Sequence, residues 1–140
     1  RAHVVVTEDS PLLRELLVST LHDSGYRFIR DFGNGQDAWE YLCELAKKNG
    51  PIENQVGVIV SDVEMPKMDG HRLLKLVRED ERLKEVPLVL FSSLINPEMR
   101  RKGKELGASG QIAKPEINQL IELLDHLVFG TELKHAQLTE

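Results

Sequence analysis

One cysteine, Cys43, is too few for an internal disulfide, and its place on an amphipathic stretch marks it as a half-buried, inert thiol. No apolar run approaches the ~20 residues that a membrane-crossing helix needs, and the first residues lack the basic-then-apolar pattern of an export signal. Positive charge is not in excess either. The net charge of −5 and pI near 5.6 argue against a nucleic-acid-binding surface. Solenoid-type repeats and low-complexity tracts are also missing. The expectation is a soluble, cytoplasmic protein that engages neither membrane nor nucleic acid. Arg1 replaces an initiator methionine, so the chain is expected to be processed or cut from something longer.

What is present suits one globular unit: 140 residues, 41% hydrophobic, can bury a core without staples. That unit is expected over residues 1–130, with 131–140 as a tail that has little to bury. Short β-branched or apolar runs at His3 to Thr7, Phe28 to Phe32, Val58 to Asp62 and Leu88 to Phe91 with the hydroxyls Ser92-Ser93 at its end, and a weaker one at Gly110 to Ala113, read as strands. Helical periodicity follows each, as in Leu13, Leu16, Leu17 and Leu21, or Ile117, Leu120, Ile121, Leu124 and Val128. Ser10-Pro11 and Asn96-Pro97 are helix starts, and Gly25, Gly107 and Gly130 are stops. The charged run Arg78 to Glu85 reads as a solvated helix end. Alternation of strand and helix predicts an α/β fold, a single doubly wound (βα)5 domain whose parallel sheet runs in the order 2-1-3-4-5.

In such a sheet, ligands bind beyond the carboxyl ends of the strands, where strand order reverses between the first and third. Glu8 and Asp9 follow the first strand, and Asp62 ends the third. Glu8 and Asp9 alone could be helix caps; with Asp62 opposite, the three become a cluster that needs a cation or shared protons. Hard oxygen donors favour Mg²⁺, Mn²⁺ or Ca²⁺ over zinc, and an open site that keeps waters suits Mg²⁺ best. Ser92 and Lys114, from the ends of the fourth and fifth strands, reach the same rim. A hydroxyl and an ammonium facing a metal and a carboxylate describe a phosphoryl site.

These residues carry a resemblance. With Glu8-Asp9, the segment Ser61-Asp62-Val63-Glu64-Met65-Pro66-Lys67-Met68-Asp69-Gly70, Ser92 and Lys114-Pro115, the chain resembles response-regulator receiver domains of the CheY-like type from about Val4 to Val128. The resemblance implies that Asp62 is the phosphoacceptor, taking a phosphoryl group from a phosphohistidine on a partner kinase. It implies that Asp9 and Asp62 bind Mg²⁺ (Mn²⁺ being possible), Glu8 through water, with the backbone carbonyl of Glu64 completing the set. Ser92 and Lys114 would contact the phosphoryl group. The wording at 8–13, 70–73, 92–96 and 114–117 is similar to the receiver half of CheV-type chemotaxis coupling proteins. That implies a CheA-type histidine kinase as partner and a CheW-like domain ahead of this chain, joining it to the chemoreceptor and adaptor array.

Two departures matter. Many receivers carry an aromatic residue or His three positions before the lysine as half of a switch with the hydroxyl residue; here Ser92 is matched with Gln111. Glu64 and Leu94 stand where receivers tune water access, which implies a long-lived phosphorylated state. Other candidates read as structural: Met65 and Met68 as loop packing, His22, His71 and His126 as surface or half-buried residues, and Arg100, Arg101, Lys102 and Lys104 as a solvated face. Two other classes stay open, a Mg²⁺-dependent phosphoester hydrolase on the same acids and, as the poorer fit, a flavodoxin-like cofactor binder.

Overall fold

The computed structural model describes residues 3–93 and 95–133. Its strands are β1 (His3–Thr7), β2 (Phe28–Phe32), β3 (Val58–Ser61), β4 (Leu88–Ser92) and β5 (Gly110–Ala113). Between and after them come α1 (Pro11–Asp23), α2 (Gly35–Ala46), α3 (Gly70–Glu79), α4 (Pro97–Leu106) and α5 (Ile117–Phe129), with one 3₁₀ turn at Ile52–Asn54. The sheet is parallel throughout, in the order β2-β1-β3-β4-β5, as expected.

Strand residues alternate between two cores because successive side chains leave a strand on opposite faces. Val4, Val6, Val58, Val60, Val89, Phe91 and Ile112 pack with Leu17 and Leu21 of α1 and Leu120, Leu123 and Leu124 of α5. Val5, Ile59, Leu88 and Leu90 face the other way, onto Leu42 of α2, Leu73, Leu74 and Val77 of α3, and Met99 of α4. Strands buried on both faces explain why β1, β3 and β4 read as continuous apolar runs instead of alternating ones.

Four helices start at the carboxyl edge of the sheet on side-chain caps. Ser10 Oγ accepts from the Leu13 N–H (3.3 Å), and Asn34, Asp69 and Asn96 accept from the N–H groups of Asp37, Arg72 and Met99 (2.8 Å each). The caps therefore line the edge that carries the site. Glycines bring that edge together. A Cβ on Gly35 would overlap the Met68 carbonyl oxygen, and a Cβ on Gly70 would overlap that of Asp62. The start of α2 and the start of α3 are thus seated directly against the loop between β3 and α3.

The run from Arg78 to Glu85 is mostly exposed, as a solvated helix end should be, but Arg78, Arg82 and Leu83 do more than face solvent. Arg78 is half-buried, and its guanidinium donates to the carbonyls of Gly107 (2.9 Å), Lys84 (3.1 Å) and Val86 (2.6 Å) and to Ser109 Oγ (3.3 Å). Arg82 donates to the carbonyls of Ala46, Lys48 and Gly50, closing the carboxyl end of α2, and Leu83 is fully buried. The two arginines serve as donors to backbone carbonyls, a role that the run in the sequence does not show. At the far end, α5 stops on left-handed Gly130, and Leu133 packs back against the α1/α5 core.

Candidate functional site

β1 runs straight into the site. The Glu8 N–H continues the ladder to the Phe32 carbonyl (3.0 Å), which leaves the Glu8 side chain at the sheet edge with 2% of its surface exposed. Its Oε2 accepts from the Ser10 N–H (3.0 Å). Its Oε1 faces Lys114 Nζ at 2.7 Å and is otherwise without a hydrogen-bond partner among the described residues. Asp9, next along, is exposed.

β3 delivers Asp62, which is 7% exposed and whose N–H donates to the Thr7 carbonyl (2.9 Å). Asp62 Oδ1 accepts from the Val63 N–H (2.7 Å), while Oδ2 lies 3.1 Å from Lys114 Nζ. Lys114 arrives from the end of β5, where its N–H donates to the Ser92 carbonyl (3.0 Å), and it is followed by a cis peptide to Pro115. A single ammonium therefore bridges two buried carboxylates from strands at different positions in the sheet. Ser92 is buried at the end of β4, in register with Ala113. Glu64 is exposed on the loop after Asp62, and Leu94 lies outside the described residues.

Ligand oxygens of Glu8, Asp9 and Asp62 can be placed within 4.8 Å of one another. Three carboxylates against one ammonium leave about two negative charges uncompensated, which matches a divalent cation, and the donors are all hard oxygens. These acids form a group that could hold a metal ion.

Burial pushes the Glu8 carboxyl above the ordinary Glu range, and the charge of Asp62 adds to this; the hydrogen bonds from Lys114 and Ser10 oppose it only in part. Burial alone would lower Lys114, but Glu8 and Asp62 outweigh it and hold the ammonium above its usual value. A carboxyl whose folded pKa is raised stabilises the fold fully below its unfolded pKa and loses that contribution as pH rises through the folded value. Metal-free protein should therefore gain stability from Glu8 as pH falls from neutral into the mildly acidic range, where Lys114 stays charged. Urea unfolding at neutral and mildly acidic pH checks this: Glu8→Gln should remove that part of the gain, and an identical pH profile in the variant would refute it.

Residues that the sequence left aside also act here. Arg14, on α1, donates from Nη1 to the Glu8 carbonyl (2.7 Å) and pairs through Nε with Asp31 Oδ2 (3.2 Å). Thr7 Oγ1 donates to Met65 Sδ (2.9 Å), which holds the loop after Asp62 against β1 and bears out Met65 as packing. Gln111 turns away from the acids toward α4. It is 4% exposed, its Nε2 donates to the Arg100 carbonyl (2.7 Å), and Arg100 Nη1 donates back to the Gln111 carbonyl (3.4 Å). His71 is a correction: expected at the surface or half-buried, it is 5% exposed, and its Nε2 has no partner among the described residues. Burial, and then the charge of Lys102, lower its pKa.

A family model described as the response regulator receiver domain matches residues 4–125. The chain belongs to that receiver family. It is 29% identical over 128 residues to chemotaxis protein CheY1 of Helicobacter pylori, covering 91% of this chain and 97% of that protein. Over 121 residues it is 29% identical to CheV2 of the same organism, covering 86% of this chain but 37% of CheV2. The chain thus spans well under half the length of that CheV relative. Among solved structures, CheY4 of Vibrio cholerae matches with a TM-score of 0.74 at 31% identity, covering 90% of this chain and 98% of that one. The chain is a receiver domain of the chemotaxis and two-component kind, with a phosphoacceptor signalling role, and the receiver family is regulatory. Neither the hydrolase nor the cofactor-binder reading is favoured. No described helix is long and apolar enough to cross a membrane.

Proposed function

We propose that Asp62 is the phosphoacceptor, that Glu8, Asp9 and Asp62 hold Mg²⁺ (or Mn²⁺) with the Glu64 backbone carbonyl, and that Ser92 and Lys114 contact the phosphoryl oxygens. The observation that carries this is the Lys114 ammonium set between Glu8 and Asp62, with Asp9 beside them. When bound, the cation neutralises phosphoryl oxygens as charge develops on them. One Asp62 oxygen forms the new P–O bond as the P–N bond to the donor histidine breaks, and the imidazole leaves with that electron pair and takes up a proton. Lys114 neutralises one phosphoryl oxygen and its tie to Glu8 fixes where it stands; the Val63 N–H keeps the Asp62 carboxylate turned into the cleft.

In this reading residues 1–130 form the receiver unit, in the cytoplasm, and act on themselves only, speeding their own phosphorylation and dephosphorylation. The donor is a histidine kinase of the CheA type. The CheV likeness supports a place in a chemoreceptor and adaptor array, reached through a CheW-like domain N-terminal to this chain. Gln111 carries the switch with Ser92: its clasp with Arg100 ties β5 to α4, so a shift at the end of β4 is felt at α4 without an aromatic ring.

Incubation with Mg²⁺ and acetyl phosphate should give an acid-stable, alkali-labile phosphoryl adduct by mass, and Asp62→Asn should give none. An adduct of the same kind on Asp62→Asn, or none on wild type, would overturn the assignment.

A further inference from the structure

We infer that Arg14, which touches neither phosphoryl group nor metal, is a positioning residue for the cation site, setting where Asp9 stands. The inference rests on the metal reading of Glu8, Asp9 and Asp62. Asp9 is the exposed member of that trio, and among the described residues no hydrogen bond fixes its side chain. Its backbone must therefore do the fixing. The peptide plane between Glu8 and Asp9 begins at the Glu8 carbonyl, and that carbonyl accepts the 2.7 Å hydrogen bond from Arg14 Nη1. A planar peptide held by its oxygen fixes the direction in which the next Cα is presented.

Arg14 is itself fixed from the opposite side. Its Nε pairs with Asp31 on β2 at 3.2 Å, and its side chain is 24% exposed. Gly33 leaves the guanidinium its space, since a Cβ there would lie 3.0 Å from Nη1. The Glu8 backbone is thus gripped twice, its N–H by the Phe32 carbonyl of β2 and its C=O by an arginine braced on β2. Here Nε and Nη1 of one rigid guanidinium fork meet a carboxylate and a carbonyl at fixed angles, a geometry that the point charge of a lysine ammonium does not reproduce. None of this shows in the sequence, where Arg14 is one polar position on an amphipathic helix.

The sign of the effect separates positioning from charge. Arg14 is a cation near a cation site, so losing its charge alone would tighten Mn²⁺ or Mg²⁺ binding. Losing its positioning would weaken it, and partners behind the ligands of metal sites are worth 10–100-fold in affinity. Titration of metal-free wild type, Arg14→Ala, Arg14→Lys and Asp31→Asn with Mn²⁺, followed by electron paramagnetic resonance, reads this directly. All are measured where circular dichroism shows them folded. Arg14→Ala is expected to bind about tenfold more weakly. Arg14→Lys, which keeps the charge, should be weakened to a similar degree, and Asp31→Asn, on an exposed carboxylate, by less. Asp31→Asn keeps the test alive if Arg14→Ala does not fold. Arg14→Ala affinity equal to or tighter than wild type, Arg14→Lys equal to wild type, or unchanged Asp31→Asn would overturn the inference. Asp9→Asn reports on the metal reading separately: if it binds Mn²⁺ like wild type, that reading fails whatever Arg14 does.

Discussion

Lys114→Met is expected to slow phosphorylation by acetyl phosphate about 10²–10³-fold, the loss seen when one preorganised donor to a developing anion is removed. It should also destabilise the metal-free domain by about 3 kcal/mol at neutral pH, the lower end of what removing one partner of a buried ion pair costs, because the other is stranded. Both effects follow from one atom. Nζ sits 2.7 Å from Glu8 Oε1 and 3.1 Å from Asp62 Oδ2, between side chains that are 2% and 8% exposed. Without it, two buried carboxylates and Asp9 face one another with no other ion pair to them among the described residues. A divalent ion supplies the missing charge, so saturating Mg²⁺ should restore most of the stability. It should not restore the phosphorylation rate, because a cation at the acids does not replace a donor on the phosphoryl oxygen. Urea unfolding with and without Mg²⁺, beside adduct formation followed by mass, separates the two. A wild-type phosphorylation rate in the variant would remove Lys114 from the chemistry.

The strand ends were legible because the fold places them. Once Val58 to Ser61 reads as a buried strand in a parallel sheet, Asp62 can only lie at the edge where Glu8 and Asp9 also end up. The helix boundaries were legible for a local reason: Ser10, Asn34, Asp69 and Asn96 cap within three residues of themselves. What could not be read depends on partners distant in sequence. Arg78 and Arg82 look solvated in a run of charges, yet the carbonyls they serve lie as far as 36 residues away. His71 sits in a polar-looking pair, His71-Arg72, and is buried all the same.

Gln111 was legible as a departure but not in its consequence. The sequence shows that no ring is there; only the packed structure shows the amide pressed on α4, where a Cβ on Gly103 would lie 2.7 Å from its Cδ. The same limit applies to Lys114. Its approach to the rim followed from the end of β5, whereas its simultaneous hold on Glu8 and Asp62 is a matter of side-chain reach.

Gly70→Ala is expected to destabilise the domain by about 3 kcal/mol, the upper end of what overpacking costs. Helix propensity alone predicts the opposite sign, since Ala is favoured over Gly inside a helix by up to about 1 kcal/mol. The tertiary contact decides. A Cβ on Gly70 would overlap the Asp62 carbonyl oxygen and lie 3.0 Å from both the Asp62 carbonyl carbon and the Val63 Cα. All of these are backbone atoms, and none can swing aside as a side-chain tip would. The Gly70 N–H also donates to the Val63 carbonyl at 2.7 Å, so α3 cannot back away without breaking that bond. The strain is relieved by moving the β3–α3 loop, which carries Asp62, and Mg²⁺ affinity should fall together with stability. Gly25→Ala is the matched control: φ is +103° there and nothing lies within 4 Å, so only the backbone penalty of about 1 kcal/mol applies, and metal affinity should hold. Urea midpoints and Mn²⁺ titrations on both variants test the distinction. If Gly70→Ala loses no more stability than Gly25→Ala, close seating of α3 on the Asp62 carbonyl is not what holds the site in place.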